Sequence, residues 1–349
     1  MTAWRSCCVR PNSSIRETLT RIDESSLQIA LVVDADGRLL GTVTDGDVRR
    51  GILHGISMEE CVLRVMNPAP TVASSDDTRQ RRLMLMQSRT IRHLPLLGEA
   101  GRLVGMEVLE DLLKPPRRDN LVLLMAGGLG TRLSPLTDAC PKPMLPVAGR
   151  PMLEIILLNF VQHGFHHFCI SVHYRASAVT EYFGNGARWG VSIDYIHEVD
   201  QLGTAGALAL LPEIPREAVL VMNGDVLSTV NLSQLLDFHL HEHALATMCV
   251  REYEFQVPYG VIRLNGHEVL AIEEKPVQRH FVNAGIYALE PEAVKLVPRN
   301  SYLDMTTLFA TLVEKEKRVA VFPVREYWMD VGRPADLQKA NGDFGEGLQ

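Results

Sequence analysis

The chain has 349 residues, 46% of them apolar, with 35 Lys and Arg against 42 Asp and Glu. That length admits two domains with a core each and excludes a disordered chain, while a formal charge of −7 argues against a protein that grips nucleic acid through its phosphates. The longest apolar stretch, 121–126, is far short of the roughly 20 residues that cross a bilayer, and the N-terminal MTAWRSCCVR has no apolar signal region. A soluble, cytoplasmic protein without membrane contact is therefore expected. The six cysteines show no Cys-x-x-Cys spacing and read as reduced thiols.

In chain order, the first feature is a repeat. Gly37-Arg38-Leu39-Leu40-Gly41 matches Gly101-Arg102-Leu103-Val104-Gly105, and Asp47 matches Asp111 at the same offset. Each copy reads as helix, strand, turn, strand, helix. Asp34-Ala35-Asp36-Gly37 supplies a turn between the apolar runs 29–33 and 39–43, and Gly98-Glu99-Ala100-Gly101 takes its place in the second copy. A two-stranded unit cannot bury both faces alone, so the copies are expected to pack together. Pro115-Pro116-Arg117-Arg118-Asp119 reads as a linker, with a new strand starting at Leu121.

Beyond the linker, predicted strands at 121–125, 168–172, 192–195 and 218–222 alternate with helical stretches at 151–163, 177–183 and 205–211. This order predicts an open, mostly parallel α/β sheet, Rossmann-like, whose ligand lies where 121–125 and 218–222 end. The first of these strands runs into Gly127, Gly128 and Gly130, followed by Thr131, Arg132 and then Lys142 between two prolines. Glycines let backbone N–H groups approach a polyphosphate, and the two cations add charge where phosphate negativity gathers. The third glycine of a dinucleotide fingerprint is missing, as is the Gly-Lys-Ser/Thr of a Walker A loop. A plain glycine-rich turn leaves Arg132 and Pro141-Lys142-Pro143 unexplained. His239, His241 and His243 alternate as on a strand face or a loop; zinc is not expected there and no catalytic role is assigned.

Two resemblances follow from these residues. The repeat, 1–115, resembles a pair of cystathionine-β-synthase (CBS) domains, an α+β module whose ribose- and phosphate-binding pattern stands here as Gly41, Thr44 and Asp47. The second copy has Val108 in place of the hydroxyl residue. The resemblance implies an adenine or guanine nucleotide at Thr44 and Asp47, or a purely structural, dimerising module, and in either case a homo-oligomer.

The stretch 121–147, with Leu202-Gly203-Thr204-Ala205-Gly206, Asn223-Gly224-Asp225, Glu273-Glu274-Lys275-Pro276, Asn283-Ala284-Gly285 and Trp328-Met329-Asp330-Val331-Gly332, resembles the sugar-1-phosphate nucleotidyltransferases (GT-A-like) over 120–349. That family joins a nucleoside triphosphate to a sugar 1-phosphate and releases pyrophosphate. The resemblance implies Mg²⁺ held by Asp225 and Asp330, and Arg132 on the β- and γ-phosphates. It implies Lys142 at the α-phosphate and Lys275 on the sugar phosphate. Ala126, Gly127, Gly128, Gly130, Thr131, Gly203 and Thr204 are implied to line the nucleotide, and Gly224, Glu274, Asn283 and Gly285 to face the sugar. The Gly203 and Asp225 segments look more like the GDP-sugar-forming branch, which implies GTP and an amino or mannose-type sugar for bacterial surface glycans. A UTP- or dTTP-using enzyme and an inactive nucleotide sensor stand as alternatives.

Overall fold

The structure, a computed structural model, describes residues 3–345, and the chain divides at Pro115–Pro116 into two units. The first two residues of the expected 1–115 domain and the last four of 120–349 lie outside the described residues.

The N-terminal unit holds the two predicted copies. In the first, α1 (Ile15–Ser25), β1 (Ile29–Val33), β2 (Leu39–Thr44) and α2 (Asp45–Leu53) follow one another; in the second, α3 (Arg79–Arg89), β3 (His93–Leu97), β4 (Leu103–Val108) and α4 (Leu109–Leu113) do so. Each helix–hairpin unit is closed by a short parallel strand, Cys8–Val9 on β1 and Ala73–Ser74 on β3. The copies pack as expected. Leu103 N–H donates to Gly37 O at 3.0 Å, Arg38 bridges Arg102, and Cys7, Ile29, Leu31 and Leu103 share one buried cluster.

In the C-terminal unit, a seven-stranded sheet runs β7 (Ser192–His197), β6 (Phe165–Val172), β5 (Arg118–Met125), β8 (Val219–Asn223), β13 (Val277–Leu289), β10 (Ala246–Gln256), β14 (Val319–Pro323). Four of its six pairings are parallel; β13 alone runs against both neighbours. β5 is buried on both faces. Val122 and Leu124 join Phe168, Ile170 and Leu220 on one side, under α5 (Met152–Gln162), while Leu123 joins Cys169, Val219 and Tyr287 on the other, under α8 (Met305–Glu314). Such two-sided burial is what a continuous apolar run in a parallel sheet requires.

Three expectations need correction. The linker is shorter than read, because the ladder begins at Arg118: its N–H donates to Gly164 O at 2.9 Å, so charged residues ahead of the apolar run already pair. The predicted amphipathic helix at 205–211 is one α-turn, Gly203–Gly206, running into a 3₁₀ turn, Ala207–Leu210, since glycines at 203 and 206 and Pro212 leave too little room for a regular helix. His239 and His241 lie on α7 (Leu232–His241), not on a strand or loop. Asn231 caps that helix by accepting the Gln234 N–H, and His239 is buried with its Nδ1 2.8 Å from Thr247 Oγ1.

Past residue 250, β10 and β13 continue as a two-stranded arm carrying the hairpin β11 (Gly260–Asn265) and β12 (Glu268–Glu274). Tyr253, Phe255, Tyr259, Ile262, Leu270, Ile272 and Phe281 are all exposed on it. Among the described residues no helix is long and apolar enough to cross a membrane.

Candidate functional site

β5 and β8 end side by side, with Asn223 paired to Met125, and the chain beyond each turns over the sheet. Gly224 N–H donates to Met125 O at 2.8 Å, and a Cβ at 224 would stand 2.7 Å from that same oxygen, so only glycine lets the second strand cross so close to the first. This crossing delivers Asp225 to the phosphate-loop candidates. Gly130 takes φ +67°, with Lys142 Cβ against it, and Thr137 Oγ1 donates to its carbonyl. The Lys142 side chain is 9% exposed, and its ammonium is bonded to the Asp225 carboxylate.

Asp330 arrives from β15 (Trp328–Asp330), which pairs antiparallel with β9 (Val226–Ser228) so that Val226 faces Asp330. Val331 N–H donates to Asp225 O at 2.9 Å, and the Trp328 indole donates to Ala284 O, pinning the strand in place. The two carboxylates are thus neighbours. Asp330 is exposed as a residue, but partial desolvation of its carboxyl, and then the Asp225 charge, push it above the usual carboxylate range, while Lys142 and Arg132 oppose that rise. Asp225 and Asp330 present hard oxygens of the kind that Mg²⁺ takes, and their mutual repulsion is what a divalent cation relieves. Arg132, exposed, lies against Gly332.

Two adjoining cavities share Gly128, Lys142, Gln201 and Asp225. One, of about 300 Å³, is bounded by Gly130, Thr131, Arg132 and Gly332. The other, of about 240 Å³, is bounded by Gly127, Glu198, Gly203, Thr204, Gly224, Tyr302 and Asp304. Gly128 faces open space, and Ala126 is buried beneath the Gly224 crossing. The first cavity is lined by cations and glycines; the second by glycines, carboxylates and a tyrosine hydroxyl.

Glu198, Tyr302 and Asp304 carried no role in the sequence reading. Glu198 accepts from the Ser171 hydroxyl and the Leu202 N–H, which fixes its carboxylate beside Gly127. Asp304 accepts from Thr204 N–H and from the Tyr302 hydroxyl, and Thr204 Oγ1 accepts the Met305 N–H. The Gly203 turn, at φ +77°, is therefore docked on the start of α8, from a segment 100 positions away.

The sugar-side candidates are divided. Asn283 accepts the Gly285 N–H and donates to the Tyr287 hydroxyl, and Gly285, at φ +70°, packs against Asn223 and Val226, so both support the Asp225 turn. Glu274 and Lys275 line neither cavity. They lie at the end of the exposed hairpin, with Lys275 at φ +48°.

In the N-terminal unit, Thr44 and Asp47 form a capping box at the start of α2. Thr44 N–H and Oγ1–H donate to Asp47 Oδ2, and Arg50 bonds Oδ1. Gly41 is required for a different reason, since a Cβ there would meet Asn67 O at 2.4 Å. The second copy borders a cleft of about 470 Å³ lined by Trp4, Arg5, Leu27, Gly105, Glu107 and Asp111.

Comparison with known proteins agrees with this division. The nucleotidyl transferase family model matches 121–346, and a CBS domain model matches 4–54. A mannose-1-phosphate guanylyltransferase of Mycobacterium tuberculosis is 32% identical over 65% of this chain and 65% of its own. A UTP–glucose-1-phosphate uridylyltransferase of Synechocystis is 31% identical over 62% of this chain and 61% of its own. The chain thus spans under two thirds of the length of these curated relatives. Among solved structures, HddC from Yersinia pseudotuberculosis matches 64% of this chain and 99% of its own at 26% identity and a TM-score of 0.51. A putative glucose-1-phosphate thymidylyltransferase from Bacillus anthracis, 22% identical, shares the fold with a TM-score of 0.54 over 66% of this chain and 96% of its own. The chain belongs to the nucleotidyl transferase family and carries a CBS domain at its N-terminal end.

Proposed function

We propose that this member of the nucleotidyl transferase family transfers a nucleoside monophosphate, by preference from GTP, to a mannose-type sugar 1-phosphate. A phosphate oxygen of the sugar attacks the α-phosphorus, the bond from that phosphorus to the bridging oxygen of the β-phosphate breaks, and pyrophosphate leaves. No protein nucleophile is needed, so catalysis is positioning and charge neutralisation. The observation that carries the reading is the convergence of Lys142, Asp225, Asp330 and Arg132 on the Gly127–Gly130 loop. Asp225 and Asp330 would hold Mg²⁺, which neutralises phosphate charge when bound. Arg132 steadies the leaving pyrophosphate, and Lys142 is placed to pass from Asp225 to the α-phosphate oxygens.

The preference for GTP is supported by relatives named as guanylyltransferases, at 32–34% identity, and by Glu198. A carboxylate in the base slot can accept both adjacent N–H donors of a guanine edge, whereas uracil and thymine offer a single N–H flanked by two carbonyl oxygens that a carboxylate repels. Purified protein is to be assayed with GTP, ATP, UTP and dTTP against mannose, glucose and amino-sugar 1-phosphates, reading products by mass. GTP turnover dominant with a mannose-type acceptor is expected; a dominant UTP or dTTP product overturns the base assignment, and no product with any pair overturns the reaction. A regulatory nucleotide on the N-terminal unit belongs to the same proposal, and there Thr44 and Asp47 are already bonded to each other, with acceptor capacity left on Asp47 Oδ1.

A further inference from the structure

At the opposite end of the sheet from this site, where β5 and β6 begin, stand Asp119, His166 and His167. One ligand atom from each lies within 4.8 Å of the others. Neighbouring residues on a regular strand point to opposite faces, which would separate the two histidines. Here the ladder is bulged. Arg118 to Leu121 on β5 covers the same span as Phe165 to His167 on β6, and at that irregularity the two imidazoles stand 4.2 Å apart, tilted by 51°.

The polar accounting of His166 does not close. Its side chain is 8% exposed, and Nδ1 lies 3.5 Å from Gly164 O, the arrangement in which Nδ1 carries the proton and Nε2 the lone pair. Nε2 is buried without a hydrogen bond, although Asp119 Oδ1 is only 3.2 Å away. A lone pair and a carboxylate oxygen thus face each other in poor hydrogen-bond geometry, an arrangement that costs free energy unless a cation lies between them.

We propose that Asp119, His166 and His167 form a site for a borderline divalent transition metal, Zn²⁺ by preference, separate from the phosphate-loop carboxylates. Two imidazole nitrogens and one carboxylate are a zinc donor set with a fourth position left for water, and the Gly164 carbonyl orients the buried ring as second-shell groups do. Tetrahedral zinc with bonds of about 2.1 Å sets its donors about 3.4 Å apart, which rotation of the exposed Asp119 and His167 side chains would reach. Bound there, the ion would clip the first residues of β5, next to the Pro115–Pro116 boundary, onto β6.

The test uses the whole chain stripped of metal and titrated with Zn²⁺ by calorimetry, with Co²⁺ absorption reporting histidine coordination. His167→Ala and Asp119→Asn alter exposed side chains and should leave the fold intact, which the buried His166 does not guarantee. One equivalent of Zn²⁺ is expected. Loss of a second-shell group alone weakens metal binding by ~10–100-fold, so loss of a ligand should weaken it by at least about 100-fold. Asp225→Asn should leave this binding unchanged, and Zn²⁺ should raise the melting temperature of the native chain and not of the two variants. No uptake at about tenfold excess of Zn²⁺, affinity unchanged in both variants, or affinity lost in Asp225→Asn would each overturn the site.

Discussion

Lys142 is nearly buried, stiffened between two prolines and bonded to a carboxylate that a glycine crossing holds in place. Lys275, its expected counterpart on the sugar side, is exposed at the end of a hairpin whose apolar side chains also lie on the surface. The first lysine comes from loops over the C-terminal edge of a sheet with two buried faces; the second comes from an arm that has left that sheet. The difference teaches where binding free energy goes. On the proposed function, the triphosphate side is organised before any ligand arrives, so its groups would act at little ordering cost, whereas the Lys275 side would have to be ordered as the acceptor binds.

The sharpest way to break this comparison is Asp225→Asn. It removes a carboxylate from the proposed cation site and leaves the Lys142 ammonium without its charged partner. Turnover should fall ~10³-fold or more, from several kcal/mol of lost charge stabilisation, with the far-ultraviolet spectrum retained. Pyrophosphate release at the native rate would show that the Asp225 cluster is not the catalytic one. Lys275→Ala comes next. It should raise KM for the sugar 1-phosphate by ~10–100-fold, the worth of one charged hydrogen bond, and leave KM for GTP and the melting temperature alone. A fall in kcat with both KM values unchanged would place Lys275 on the pre-organised side instead.

Smaller effects sharpen the picture. Thr44→Ala removes a capping box and should cost about 1 kcal/mol in the N-terminal unit, seen in denaturant unfolding; unchanged stability would mean that the pair is kept for a ligand rather than for α2. Asp330→Asn should act in the opposite sense on the metal-free protein. The folded state holds this carboxyl above its usual range, so it binds a proton more tightly than the unfolded chain does, and native stability rises as pH falls through the raised value. Removing the charge should therefore stabilise the protein at neutral pH, by less than about 1 kcal/mol because the exposed carboxylate is screened by water. The gain should vanish at acid pH and reverse when Mg²⁺ is added, as followed by thermal melts.

Much of this was legible in sequence because the chemistry sits in short, local patterns. The glycines from 127 to 130, Lys142 between prolines, and Asp225 after an apolar run mark themselves as candidates, and the structure brings them together; the repeat at Gly41 and Gly105 announced two copies. What escaped depends on distant partners. Glu198 matters because Ser171 and the Leu202 N–H hold it toward the cavity, and Asp304 because it receives Thr204 from 100 positions away. Neither residue has a local signature. His239 and His241 misled because alternate spacing means little once Asn231 caps a helix through them, while His243 lies in the turn beyond it. Thr44 and Asp47 show the converse, since a pattern read for its ligand is also a complete helix start.

The Trp328–Asp330 strand has one more implication. A polypeptide that stops short of it keeps the glycine loop, Lys142 and Asp225, yet lacks the second carboxylate and the indole clasp on Ala284. The same cut removes Val331, Leu337 and Ala340 from the core, so the closing segment ties the second carboxylate to the packing of the whole unit: no version of this fold can keep its stability and lose only Asp330's strand.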